Sequence, residues 1–422
     1  MSDSAINNKG GTPYWWKIVV VLSLGWVFIY ATRTILNPVM PNIAEEYGLN
    51  NAQLGIINSV FFLTYALAQI PSGALGDKFG RKYVLVPGFI LFGLFTGISG
   101  MATTFAIFMF ARAVAGLGQG TFYGPAYAIS SDAIPQKNRT VGTAIINSGM
   151  AVGTSLGYLT SSTLTLERGM RWETSFYVMT IPTIITALLI WFVVKEKRGK
   201  AGTVATADRS GQTAPVETLG APVKKVKISE LLKSRNLIVT FIMVFCSLYG
   251  FFMILTWLPQ YLQVERGFKG SDVGFISSLI PWASIPGALL FGYINDKLGR
   301  SKPLVFILVP LAALSIFSVV YIKSISLMIF FLILYGLTGK LALDPVLISF
   351  VSKNAPQEGY STVFGLYNFI GMSSSIIAPY VTGYLSDKTG SMQSGFFLAM
   401  ILLLIGFVAM LFAKEERTRK AV

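Results

Sequence analysis

The chain runs repeatedly for about 20 residues with scarcely a charge. Runs of that length match what a bilayer demands, since its hydrocarbon core is about 30 Å thick and each helical residue rises about 1.5 Å. Twelve such windows can be placed, at 16–40, 54–75, 83–101, 103–129, 140–164, 173–194, 237–262, 273–294, 303–322, 325–351, 361–386 and 391–413. Barrel strands would be about 10 residues long with alternating polarity, which these runs are not. Composition agrees, because 53% of the 422 residues are hydrophobic and only 13% are charged, too few to clothe a water-soluble surface. The expected fold is an all-α membrane protein with twelve transmembrane helices.

A formal charge of +15 would suit a nucleic-acid partner, but its placement argues otherwise. With an even number of spans both termini share a side. That side, with the long middle loop, carries 25 of the 34 Lys and Arg; six lie opposite, and Arg33, Arg112 and Lys340 fall inside spans. This bias is the positive-inside signature, so both termini are expected in the cytoplasm and the charge sets topology. No nucleic acid partner is expected. The first span is long and lacks a small-residue cleavage pattern, so no cleaved signal is expected. With one cysteine, Cys246, and no histidine, a disulfide framework, a Cys-based metal cluster and a histidine relay are excluded within one chain. Neither metal nor cofactor is expected, and the chain reads as a carrier rather than an enzyme.

Residues 195–229 form the one long polar stretch, rich in Lys, Gly, Thr and Ala, and read as a cytoplasmic linker between six-helix bundles at 1–194 and 230–422. The halves repeat. A constant offset of 219 residues aligns Asp77 with Asp296, and Gly48, Gly55, Ser59, Gly73 and Gly80 with Gly267, Gly274, Ser278, Gly292 and Gly299. Two pseudo-symmetric bundles imply a solute site between them near the midplane, exposed to either side in turn.

The segment Gly73-Ala-Leu-Gly-Asp77-Lys78-Phe-Gly80-Arg81-Lys82 resembles the loop motif of the major facilitator superfamily. Its second copy, Gly292 to Arg300, departs at Ser301, where Lys302 follows. Arg112, Gly116, Gly118 and Gly120 match a further motif on span 4. The resemblance implies a latch at Asp77, Arg81, Asp296 and Arg300 that holds the outward-facing state; the plainer reading is that these cations only enforce topology. Asp132 and Arg139, at the cytoplasmic end of span 4 and just beyond, read as gate or latch residues. Two stretches are similar to the organic-anion and organophosphate permeases: Tyr30-Ala-Thr-Arg33 on to Gln53-Leu54-Gly55, and Thr256-Trp257-Leu258-Pro259 with Arg266-Gly267.

A charge at mid-bilayer costs about 2.5–3.5 kcal/mol even on a lenient insertion scale, so such residues face the bundle interior. Arg33 shares a helix face with Trp26, Tyr30 and Asn37, and Tyr30 and Asn37 are candidate solute ligands beside it. Its planar fork fits carboxylate, sulfonate or phosphate oxygens two at a time. In the permeases it resembles, the matching arginine binds the substrate anion; the rival reading is a structural arginine bonded to backbone carbonyls. Arg112 lies by the substrate or proton site, or pins span 4 to span 1 as a gating or latch residue. Gln119 is placed to hydrogen-bond the solute. Lys340 and Asp344, one turn apart near Gly336 and Gly339, are either a second cation with its holding carboxylate or a buried structural pair.

Symporters of this group often carry an Asp before the span 1 arginine and a Glu where Gln119 stands; here Thr32 and Gln119 carry no proton. Asp344, the only carboxylate deep in a span, is the candidate proton carrier, with anion exchange as the alternative. Tyr65, Tyr123, Asn147, Tyr249, Tyr367 and Asn368 are candidate cavity-lining groups, while Trp15, Trp16 and Trp257 read as interfacial anchors. The expected partners are lipid, a small anionic solute and in one mode a proton, with the chain a monomer. Sugar acids come first as cargo, then sulfonates or phosphate esters. A multidrug exporter is a second reading, although Gly149, Gly153 and Gly157 lack the proline its span 5 motif carries. A transporter-like receptor is a third.

Overall fold

The computed structural model describes residues 13–195, 231, 233–356 and 360–415. The expected linker, apart from Lys195, lies outside the described residues. Fifteen α-helices account for almost all of the described chain. The first half contains α1 (Tyr14–Thr34), α2 (Met40–Tyr47), α3 (Asn51–Phe79), α4 (Arg81–Gly100), α5 (Phe105–Gly120), α6 (Tyr123–Ala133), α7 (Arg139–Ser161) and α8 (Glu173–Val193). The second contains α9 (Arg235–Val264), α10 (Ser271–Leu298), α11 (Lys302–Tyr321), α12 (Ile325–Thr338), α13 (Lys340–Asn354), α14 (Tyr360–Thr389) and α15 (Gln393–Leu411).

Three spans are broken, each by residues that spoil the hydrogen-bond ladder. α1 passes through a 3₁₀ turn at Asn37–Val39 into α2, where Pro38 and Pro41 donate no hydrogen. α5 hands over to α6 just before Pro125. α12 stops at Gly339, whose extended ψ of −159° restarts the chain as α13 at Lys340. Thus the chain just before Lys340 and Asp344 carries a true helix break at Gly339.

Among the described residues ten helical segments are long and apolar enough to cross a membrane, against the twelve spans expected. The other two are α7 and α14, whose interiors carry Gly, Ser and Asn. These are the helices that knit the bundles together: α7 packs on α1 and α10, and α14 on α3 and α9. Small residues suit that role, since helices in lipid associate by close backbone approach rather than by hydrophobic force. α8 and α15 bury only 33% of their most apolar windows, whereas α9 buries 78%, which places α9 inside and the other two against lipid.

The sequence repeat reappears as geometry. Gly48 and Gly267 have φ of +65° and +72°, and Gly80 and Gly299 likewise lie at positive φ, a conformation open to glycine. Gly55 and Gly274 both sit at bundle-to-bundle contacts. A Cβ on Gly55 would lie 2.3 Å from Pro379 O, and one on Gly274 2.6 Å from Tyr158 O.

Candidate functional site

The bundles are joined at the ends of the helices farthest from the chain termini. Asp387 caps the N-terminus of α3 from across the interface, accepting from the Asn51 and Ala52 amides at 3.0 and 2.8 Å. Gln260 donates to Asn51 Oδ1 at 2.9 Å and Gln263 to Pro38 O at 2.8 Å. Deeper in, Leu255 O accepts from both Asn37 Nδ2 at 2.8 Å and the Tyr158 hydroxyl. That carbonyl is available because Pro259, one turn on, has no N–H to offer it. Asn37, expected beside Arg33 as a solute ligand, is instead consumed by this closure and by Asn58. The cause is the end of α1 at Thr34, which swings Asn37 off the stripe it would have shared with Arg33.

Arg33 occupies the last turn of α1 and is 5% exposed. Its Nε donates to Gln119 Oε1 at 2.6 Å, its guanidinium carbon lies 4.8 Å from the ring centres of Tyr30 and Tyr65 and 5.2 Å from that of Phe62, and its Nη2 is buried with no partner. Phe62 in turn packs edge-on against Phe252 of the second bundle, with ring centres 5.1 Å apart. Aromatic faces stabilise a desolvated cation by about 2 kcal/mol, which helps to hold the charge here without satisfying its donors. Main-chain oxygens do not take up this guanidinium among the described residues.

Arg112 is wholly buried, within electrostatic reach of Arg33, and its guanidinium carbon lies 4.5 Å over the Phe61 ring. Among the described residues its three guanidinium nitrogens have no hydrogen-bond partner and neither arginine has an acidic one. The expected tie from span 4 to span 1 exists, but Gln119 makes it to Arg33. Arg112 contacts α3 instead, through the Phe61 ring.

Across the interface, Lys340 Nζ contacts Asp344 Oδ2 at 2.6 Å and lies 5.9 Å from the Phe251 ring centre. Asp344 is within electrostatic reach of Tyr123 in the first bundle and of Tyr367 in the second. Tyr123 is 40% exposed in mid-span and packs on Trp26 and Tyr127, so it faces the space between the bundles. Tyr127 donates to Asn147 Oδ1 at 2.6 Å. Tyr367 is buried with its hydroxyl unpartnered, and Asn368 is exposed. Tyr249 is not part of this group; it is buried within the second bundle against Phe245, its hydroxyl toward Thr382.

Between these two clusters lies a cavity, with α1 and α7 on one side and α9, α10 and α13 on the other. Tyr30 and Phe251 are both part of its wall. The rings beside the two cations therefore border one space. Phe251, Phe252 and Tyr158 carry no sequence signal beyond their apolar spans, whereas the position of Pro259 marks the freed Leu255 carbonyl. Trp257, expected as an interfacial anchor, is buried and donates to Pro379 O at 3.1 Å, because the part of α9 that carries it is enclosed by other helices.

At the terminal ends of the helices Arg81 pairs with Asp132, and Arg139 donates to Ser131 O at 2.8 Å. Asp77, Asp296 and Arg300 are exposed and make no ion pair among the described residues. The second loop copy is anchored by Glu415, which accepts from the Ser301 and Lys302 amides, each at 2.7 Å. Lys302 Nζ caps the last helix through Leu411 O and Ala413 O, a different use from the basic residue of the first copy.

The family model of the Major Facilitator Superfamily matches residues 22–379 and 270–422. The chain belongs to the major facilitator superfamily. It is thus an integral multi-pass membrane protein of a transporter family. It is similar to the hexuronate transporter of Bacillus subtilis, with 26% identity over 90% of each chain. It is also similar to the cis,cis-muconate transport protein of Acinetobacter baylyi, with 25% identity over 95% of each. The fold matches the crystal structure of a bacterial homolog of the human lysosomal transporter Spinster, inward-facing and unoccupied, with a TM-score of 0.77, 16% identity and coverage of 96% of this chain and 98% of that one.

Proposed function

We propose that this chain is a secondary carrier that moves a small organic anion across the cytoplasmic membrane by alternating access. Both termini lie in the cytoplasm in this reading, as the charge bias requires. The carrying observation is Arg33: a guanidinium kept out of water, with no acidic partner among the described residues and one buried nitrogen unmatched. An unmet buried donor is costly, so an anionic group that meets it binds well and neutral solutes do not. Hexuronate and muconate, named for two relatives, are both carboxylates.

Tyr30 and Gln119 would place the guanidinium, Tyr123, Tyr367 and Asn368 would line the route, and Lys340, matched by Asp344, would hold the coupling carboxylate in the second bundle. An anion reaching both bundles favours the occluded state, which is the differential affinity that alternating access needs. Asp344 is assigned the coupling proton. Asp77 and Asp296 would act as latches in the opposite, outward-facing state, which their exposure in the present closure at the far end accommodates.

Uptake of labelled organic acids into proteoliposomes tests this. Wild type accumulates an acid down an imposed proton gradient. Arg33→Ala does not, while still eluting as a monodisperse protein. Asp344→Asn keeps exchange but loses gradient-driven accumulation. Binding without flux in wild type would contradict the carrier reading, and full uptake by Arg33→Ala would contradict the anion site.

A further inference from the structure

We infer that the cargo is an organic monoanion with a hydrocarbon or aromatic body, rather than a polyhydroxylated acid. This assignment rests on the anion-carrier reading and narrows it. The number of charges follows from the cations. Lys340 is already matched by Asp344 at 2.6 Å, which leaves Arg33 as the cation beside the cavity with a buried, unmatched nitrogen. Arg112, also unmatched, lies against Phe61, which is no part of the cavity wall, whereas Arg33 meets that wall through the Tyr30 ring.

The body follows from that wall. It is built from Met150, Ile254, Leu258, Ile280, Pro281 and Leu341 with the Tyr30 and Phe251 rings. Its polar groups are mostly engaged already: Thr154 Oγ1 donates to Met150 O at 2.8 Å and the Tyr158 hydroxyl to Leu255 O. Among the described residues Ser277 Oγ is the buried hydroxyl of this wall without a partner, and Gln119 Nε2, beside Arg33, is also buried and unmatched. A sugar acid entering here would strip water from several hydroxyls and find one or two replacements, whereas each loss of a water partner opposes binding. A ring or short alkyl chain meets a matching surface, and its burial drives binding. The Tyr30 ring joins the two parts of the site, since it lies 4.8 Å from the Arg33 guanidinium and also forms cavity wall.

The test is thermal unfolding of the purified full chain with four acids at equal ionic strength, benzoate, hexanoate, D-gluconate and D-galacturonate, and with benzyl alcohol as the uncharged control. Benzoate and hexanoate are expected to raise the unfolding midpoint, with little response to the two hydroxylated acids or to the alcohol. Met150→Gln, which places an amide in the wall without touching the arginine, weakens apparent benzoate affinity about tenfold. Arg33→Gln removes the response. Stabilisation by gluconate or galacturonate above benzoate and hexanoate overturns this inference and leaves the anion reading standing. Equal responses to benzoate and benzyl alcohol, or none to any acid, overturn both.

Discussion

Arg33 on α1 donates from Nε to Gln119 Oε1 on α5 across 2.6 Å, so two spans of the first bundle share one buried charge and one neutral acceptor. Because the acceptor is neutral, the guanidinium stays available to a negatively charged solute. A carboxylate in the same place would compete for it.

Gln119→Glu tests that logic. Ionised, the introduced carboxylate holds Arg33 and repels an anion; protonated, it releases it. Affinity for an organic acid should fall about tenfold at neutral pH, a loss of about 1.4 kcal/mol, and recover as the pH drops through the carboxyl's folded pKa. Titrations of one acid at several pH values check this. A pH-independent affinity equal to wild type would contradict it.

The Leu255 carbonyl concerns conformation rather than binding. It is released by Pro259 and takes hydrogen bonds from Asn37 and Tyr158, both in the first bundle. Each donor should contribute about 1 kcal/mol to closure at the far end. Asn37→Ala with Tyr158→Phe should then shift the population toward far-side opening by roughly tenfold or more. Thiol labelling of Ala52→Cys in a Cys246→Ala background reads that shift, and an unchanged labelling rate would remove this contact from the closure.

Close packing of α3 on α14 makes the same closure sensitive to one methyl group. In Gly55→Ala the new Cβ would stand 2.3 Å from Pro379 O, a backbone atom that has nowhere to go. Overpacking of this kind costs about 1–3 kcal/mol. Transport should fall sharply with the protein still folded. Gly365→Ala, on α14 but with open space around its Cβ, should transport normally.

Glu415 is a stability residue. Its two oxygens take the Ser301 and Lys302 amides at 2.7 Å each, at the start of α11. Replacing it with Ala should destabilise the second bundle by about 1–3 kcal/mol, read as a lower unfolding midpoint. Lys353, 4.0 Å from Glu415, should matter less when truncated, by under about 1 kcal/mol.

Much of this was legible in the amino-acid sequence, for physical reasons. Span length follows from bilayer thickness, so the helical rods could be placed before any contact was known, and the 219-residue offset exposed the two bundles. Gly55 and Gly274, paired by that offset, both mark bundle contacts. The pairing of Lys340 with Asp344 followed from helical spacing. What escaped were features set by tertiary contact. Periodicity carried Asn37 onto the Arg33 face, but Pro38 had already ended the helix there. Trp257 looked interfacial because its neighbours are apolar, and only the enclosure of α9 shows that it is interior. The apolarity of α7 and α14 is low because their small polar residues face other helices rather than lipid, so hydropathy undercounts such spans.

The account stands or falls on Arg33 as the partner of a negative charge. Equilibrium titration of wild type and Arg33→Gln with the acid that stabilises wild type most tests it directly, since the amide keeps a donor and removes the charge. A hydrogen bond to a charged group contributes about 1.5–3 kcal/mol, so affinity should drop roughly 10- to 150-fold in the variant. An affinity equal to wild type would contradict the claim.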